Sequence, residues 1–270
     1  MAEKDYALGT HDAEIARLGL QHRVWRSRTL AAWHEAGFTV GQSLLDLGCG
    51  PGYATLDLAE IVGPDGMVIA VERSQRFLDA LQKAASTRGL GNIRMIEQDV
   101  TELDLGHATL DGAWCRWLLS FVHDPQTVVR HLRTGLKRGA AAVFFEYVNY
   151  RSWRFGPHLA AHEQFVAAVE QHWRAEGGEP DIGLALPALL AHNGFQVERL
   201  RAHVEAVRPG DYFWEWPKTF LRVGAEHMVE RGRLDATVAR QLDDALAAAE
   251  SDPGAFVLTP VVLEVIARAV

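Results

Sequence analysis

The sequence predicts an α/β fold built on an open, doubly wound parallel sheet, with helices added before and after it. Three observations predict it. Apolar runs of strand length alternate with helical patterns between residues 40 and 148. Glycine-rich turns close the strands. The spacing between successive strands leaves room for a crossover helix each time.

The elements follow in order. Ile15, Leu18, Val24, Trp25, Leu30 and Trp33 recur near helical spacing, which predicts a helix over 11–36 with Gly37 as its stop. Ser43 to Leu47 is a short apolar run between Gly41 and Gly48, the pattern of a buried strand. A helix is expected over 52–62, then a turn at Gly63-Pro64-Asp65-Gly66, then a strand over 67–71. Ser74 can cap a helix over 75–88. Strands are expected over 93–97, 112–115 and 140–145, with a helix from Pro125 to about Gly135 between the last two. Past 148 the rhythm changes. Helices are expected over 156–176 and 183–193, an alternating strand over 195–207, and mostly helix over 211–250. The last apolar segment, 254–267, suits a strand with Pro260 at an edge or bulge, and periodicity alone leaves a helix open.

Composition narrows the function. The chain has 270 residues, 48% hydrophobic and 23% charged, and a formal charge of −8. An acidic chain is a poor general binder of nucleic acid, whose affinity comes from phosphate neutralisation. The basic cluster of Arg130, Arg133, Lys137 and Arg138 suits a solvated helix end. Cys49 and Cys115 make neither a disulfide framework nor a metal motif. The start, MAEKDYALG, lacks an apolar signal core, and no run reaches the roughly 20 apolar residues of a membrane span. The expectation is a cytoplasmic protein with no membrane contact.

The sharpest motif is Leu44-Leu45-Asp46-Leu47-Gly48-Cys49-Gly50-Pro51-Gly52, placed between a strand and a helix. Such a loop forms the cofactor crevice of an open parallel sheet. It lacks the Gly-Lys-Ser/Thr of a phosphate loop, and Tyr53 stands where a dinucleotide fingerprint has its third glycine. Pro51 also removes a backbone donor. A ligand offering a carboxylate and an ammonium fits better than a pyrophosphate. Glu72, 24 positions beyond Gly48, ends the second strand, where it can accept from two ribose hydroxyls. Asp99, after the third strand, can accept from an adenine amino group or simply cap a turn.

Together these segments resemble the class I S-adenosylmethionine-dependent methyltransferases, on the side of the ubiquinone/menaquinone-type small-molecule branch. LDLGCGPG is similar to the first motif of that class, Gln98-Asp99-Val100 to its adenine segment, and Asp111 to Trp117 to its fourth-strand motif. Lys137-Arg138-Gly139 replaces the usual Pro-Gly-Gly before the fifth strand. The resemblance covers about 40–148. It implies a seven-stranded, mostly parallel sheet with the last strand antiparallel, 195–207 being the sixth strand and 254–267 the seventh. It implies an N-terminal helical cap (1–39), a cofactor-binding core (40–150), a helical insert (151–194), a core strand (195–210), a helical lid (211–253) and a final core strand (254–270). It further implies that Asp46, Gly48, Cys49, Gly50 and Gly52 line the methionine end of S-adenosylmethionine. Glu72 and Arg73 would hold the ribose, Asp99 and Val100 the adenine, and Arg116 the methionine moiety. Tyr6, Gln21 and Trp25 are candidates on a helix closing over the cofactor.

Methyl transfer from a sulfonium mainly requires alignment of the acceptor. If a proton must leave, Glu146 after the fifth strand is the first candidate base. His123 is the second, although His123-Asp124-Pro125 also suits a plain turn. Trp117, Phe121, Tyr147, Tyr150, Trp153 and Trp214 are candidate walls of an acceptor pocket, suited to a planar ring or a cationic amine. His158, His162 and Glu163 do not follow HExxH and lack an evident third ligand, so no metal is expected. The expected partner is a small molecule, with a homodimer left open as a second use of 211–253. An NAD(P)-dependent oxidoreductase, a protein-acceptor methyltransferase and an inactive binding protein are the rival functions.

Overall fold

The computed structural model describes residues 9–270. Helix α1 (Asp12–Ala36) is opened by the His11 imidazole, which accepts from the Glu14 N–H, and closed by Gly37 at φ 84°. Five strands and three helices follow: β1 (Ser43–Leu47), α2 (Tyr53–Val62), β2 (Met67–Glu72), α3 (Gln75–Arg88), β3 (Ile93–Glu97), β4 (Leu110–Arg116), α4 (Pro125–Gly135) and β5 (Leu136–Asn149), with a short 3-10 turn in place of a helix between β3 and β4. Local caps set several of these ends. Ser74 accepts from the Phe77 N–H at the start of α3, and Asp124 from the Thr127 N–H ahead of Pro125 in α4.

The second half contains β6 (Arg154–Gly156), α5 (Ala160–Ala175), α6 (Leu186–His192), β7 (Phe195–His203), β8 (Ala206–Val207), α7 (Glu215–Glu230), α8 (Ala236–Ser251), β9 (Phe256–Leu258) and β10 (Val261–Ala269). The main sheet has seven strands in the order β3-β2-β1-β4-β5-β10-β7. β1 to β5 are parallel, and β10 runs antiparallel to both β5 and β7. The order reverses between β1 and β4, the switch point where open α/β sheets bind ligands.

Two expected strands divide. The 254–267 run breaks at Thr259-Pro260. β9 joins a second, three-stranded sheet, β6-β9-β8, and β10 enters the main sheet only after the proline. Proline has no N–H to give a ladder, so it stands between the strands rather than within one. The 195–207 run divides in the same way, β7 staying in the main sheet and β8 pairing with β9. β5 is longer than 140–145 because β10 pairs with it as far as Asn149.

One face of the sheet is covered by α1, α2 and the aromatic second half, the other by α4 and α6. Trp25 of α1 is the centre of the first face, with ring contacts to Trp117, Phe145, His203, Phe213 and Trp216 at 5.1–6.1 Å. The basic cluster is partly tied down. Arg133 donates to the Gly194 and Val270 carbonyls, and Lys137 pairs with Asp111 at 2.6 Å. Among the described residues, no helix is long and apolar enough to cross a membrane.

Candidate functional site

A cleft enclosing about 1110 Å³, part of it open to solvent, lies at the carboxyl ends of the central strands and under α1. The glycine loop forms its floor. Gly48, Gly50 and Gly52 all have positive φ (68°, 54° and 82°). Gly52 begins α2, and a Cβ there would meet Leu81 of α3 at 2.3 Å. A Cβ on Gly50 would meet nothing within 4 Å. That position opens into space a ligand can approach closely, whereas Gly52 serves helix packing and does not line the cleft.

Glu72 fastens the loop from the end of β2. Its Oε2 accepts from Gly50 N–H at 3.0 Å, and its Oε1 from the Arg73 and Ser74 N–H groups at 2.9 and 3.0 Å. Burial nevertheless raises its carboxyl above the ordinary range. Asp46 is almost fully buried and accepts from Thr55 Oγ1 at 2.6 Å. Burial pushes its pKa up to about 6, against the opposing pull of the Thr55 hydrogen bond and Arg116. Asp99 caps the short turn over Val100–Glu102, accepting from Thr101 N–H at 2.9 Å and Oγ1 at 2.6 Å. Asp99 therefore acts as a turn former, and it still lines the cleft beside Gln98 and Val100.

The structure brings Asp46, Gly48, Cys49, Gly50, Glu72, Arg73, Asp99, Val100, Arg116 and Gln21 to one cavity wall. Gln21 is held there, its Oε1 accepting from Arg17 Nη1 at 3.0 Å and Trp216 Nε1 at 3.1 Å. Tyr6 lies outside the described residues. Trp25 packs in the aromatic core rather than on the cleft.

At the exit of β4, Trp117 takes φ 50°, a conformation that non-glycine residues rarely adopt. Its ring lies nearly parallel to Tyr147 at 5.6 Å and to Trp216 at 5.7 Å. Trp117 and Phe121 line the cleft, and exposed His123 sits at its rim. Tyr147, Tyr150 and Trp153 instead line a separate apolar cavity of about 210 Å³, together with Trp216 and Phe220. The stack of Trp117 on Tyr147 and Trp216 joins the cleft wall to that cavity.

Two further expected site residues are corrected. Glu146 does not reach the cleft. It is fully buried, with Oε1 accepting from the Leu118 and Leu119 N–H groups at 3.0 and 2.8 Å and Oε2 from Ser120 Oγ at 2.8 Å. Burial pushes its pKa up to about 7, and its work is to hold the loop after β4 in shape. Trp214 is buried in the core against Phe155, with its Nε1 donating to Glu250 at 3.3 Å, and lines neither cavity.

Sequence reasoning passed over Leu18, Tyr53, Phe77 and Leu118, which also line the cleft. The Tyr53 hydroxyl donates to the Ile15 carbonyl at 3.0 Å, tying α2 to α1. The Trp216–Phe220 pair, four apart on α7, carried the helical signal that could have replaced Trp214. Among the described residues, no group of three metal-binding side chains converges. His158 pairs with Glu163 at 3.3 Å, while His162 is buried against Trp153 and Phe155.

Residues 44–139 match the family model described as a methyltransferase domain. A demethylmenaquinone methyltransferase of Lactococcus lactis subsp. lactis (strain IL1403) is 31% identical over 126 residues, 47% of this chain and 49% of the relative. The chain thus spans about half the length of the curated relatives it matches. Among solved structures, geranyl diphosphate C-methyltransferase from Streptomyces coelicolor A3(2) superposes with a TM-score of 0.60 at 15% identity, covering 92% of this chain and 77% of that one. The [4+2]-cyclase SpnF superposes with a TM-score of 0.59 at 18% identity, covering 90% and 80%. At these identities the structural matches speak to fold alone.

Proposed function

We propose, starting from a core that matches a methyltransferase-domain family model, that the chain transfers a methyl group from S-adenosylmethionine to an oxygen, nitrogen or carbon atom of a small aromatic or amine-containing molecule. One observation carries this most: Gly50, Glu72, Asp46 and Arg116 line a single cleft at the switch point of the sheet. The cleft suits the cofactor. The open space at Gly50 admits close approach, Glu72 is placed for ribose hydroxyls, and Asp99 and Val100 border the adenine end. The Gly50 N–H, a donor that a pyrophosphate would need, is already taken by Glu72. That argues against the nicotinamide alternative.

When bound, S-adenosylmethionine supplies a methyl on a sulfonium with its leaving group in place. The protein's own contribution is position and dryness. Trp117 and Phe121 form the wall on the acceptor side, and α1 roofs the cleft. His123, at the rim, is the titratable group placed to take a proton; Glu146 is spent on the loop. The roofed site and acidic charge favour a small molecule over nucleic acid or a protein side chain.

Calorimetry of S-adenosylmethionine and S-adenosylhomocysteine with wild type and Glu72→Ala tests the assignment. Wild-type binding that weakens by ~1–3 kcal/mol in the variant is expected, from loss of charge-assisted hydrogen bonds. A folded wild type that binds neither ligand, or binds NADH instead, rejects it. Binding without transfer to any acceptor of the proposed class would leave a cofactor-binding protein of another activity.

A further inference from the structure

Arg116 ends β4 one register step past the Leu47–Cys115 pair, so it leaves the sheet next to Gly48. Its Nη1 donates to Thr29 Oγ1 and its Nη2 to His22 Nδ1, each at 3.3 Å. A guanidinium cannot accept, so His22 Nδ1 carries no proton and the ring proton is on Nε2. That nitrogen lies 3.1 Å from Asp57 Oδ2. Asp57 is held in turn by Arg26 Nε at 2.7 Å. His22 and Asp57 are both buried, 5% and 6% exposed. A chain of hydrogen bonds thus runs from α2 through α1 to the cleft, reaching it at a cation.

Two of the five Arg116 donors are used, which leaves three without a protein partner among the described residues. The flanking rings of Trp114 and Trp117, 5.6 and 5.1 Å from the guanidinium carbon, restrict where it can swing. A fixed guanidinium with spare donors recognises a carboxylate through paired hydrogen bonds. The other cleft-lining arginine, Arg73, adjoins the ribose carboxylate Glu72, so Arg116 is the cation at the Asp46 end.

We propose that His22, oriented by Asp57, is the positioning residue that fixes the Arg116 guanidinium, which the family resemblance already assigns to the methionine end, for the carboxylate there. This rests on the methyltransferase function proposed above. The groups facing His22 are Asp57 from α2, Arg26 on α1 and Arg116 from β4, with the Tyr53 ring stacked at 6.2 Å. Burial is the largest influence and holds His22 below the ordinary histidine value. Protonating it would set an N–H against the Arg116 N–H and a cation against a cation, releasing the guanidinium.

The test compares S-adenosylhomocysteine with 5′-methylthioadenosine, which lacks the amino-acid part, in wild type and His22→Phe. The phenyl ring keeps the packing and removes both hydrogen bonds. S-adenosylhomocysteine affinity should fall on the order of tenfold, the effect of removing one charge-assisted hydrogen bond, while 5′-methylthioadenosine binding stays unchanged. Wild-type S-adenosylhomocysteine binding should also weaken on the acid side, and the variant should lack that limb. Asp46 titrates in the same cleft in both proteins, so the difference between the profiles belongs to His22. Should His22→Phe not fold, Asp57→Asn keeps the shape, removes the charge that sets the tautomer, and carries the same comparison. Equal weakening of both ligands, or of neither, overturns the inference. A wild type that binds neither ligand instead overturns the function on which it rests.

Discussion

The cofactor half and the aromatic half of this molecule solve the same problem, placing side chains at one point, by opposite means. In the first half, backbone does it. Strand ends and glycine turns put Asp46, Gly50, Glu72 and Asp99 on the cleft, each within a few residues of a strand or helix terminus. In the second half, packing does it. Trp25, Trp117, Tyr147 and Trp216 come from four separate segments and are brought together by ring contacts. Local chain geometry can be read from a sequence; mutual packing of distant aromatics cannot.

That difference can be broken most severely at Trp25. Trp25→Ala removes the ring on which α1, β5 and α7 converge, and a loss of about 3–5 kcal/mol is expected for a buried aromatic truncated to alanine. Denaturant melts measure it. A single, shifted transition is expected; a small change would mean that the aromatic half is not held as one unit.

A smaller effect separates structural from catalytic carboxylates. Glu146 holds its proton up to about 7 in the folded protein, against an ordinary 4.5. Between those values the native state binds more protons than the unfolded state, so stability falls as pH rises through the window. Glu146→Gln should flatten that slope in melts taken across pH 4.5–7. A slope unchanged in the variant would show that Glu146 is not the group responsible.

The smallest effect concerns Trp214. Trp214→Phe loses the bond to Glu250 and should cost about 0.5–1.5 kcal/mol of stability. Affinity for S-adenosylhomocysteine should not change. A drop in that affinity would place Trp214 at the site after all.

The legibility of the elements follows the same division. The helices α3 and α4 carry their own signals at both ends, Ser74 and Gly89 for one, Asp124-Pro125 and Gly135 for the other, so their limits could be read directly. β6, β8 and β9 have two or three residues each, too few to show a period, and nothing local announces that they pair. Glu146 was misplaced because a carboxylate at a strand end looks the same whether it faces a ligand or the next loop. Only the three donors converging on it from Leu118, Leu119 and Ser120 distinguish the two. His22 left no trace in the sequence, since Asp57 and Arg116 lie 35 and 94 residues away.

The break at Thr259-Pro260 has a mechanical consequence. β9 lies in the small sheet that follows α8, and β10 lies between β5 and β7 in the large one. Only two residues separate them, and the Thr259 N–H is anchored to the Glu205 carbonyl. The connection is too short to absorb slack. The small sheet is thereby tied at short range to the end of β5 that carries Tyr147, since Tyr147 pairs with Val262, two positions past the proline.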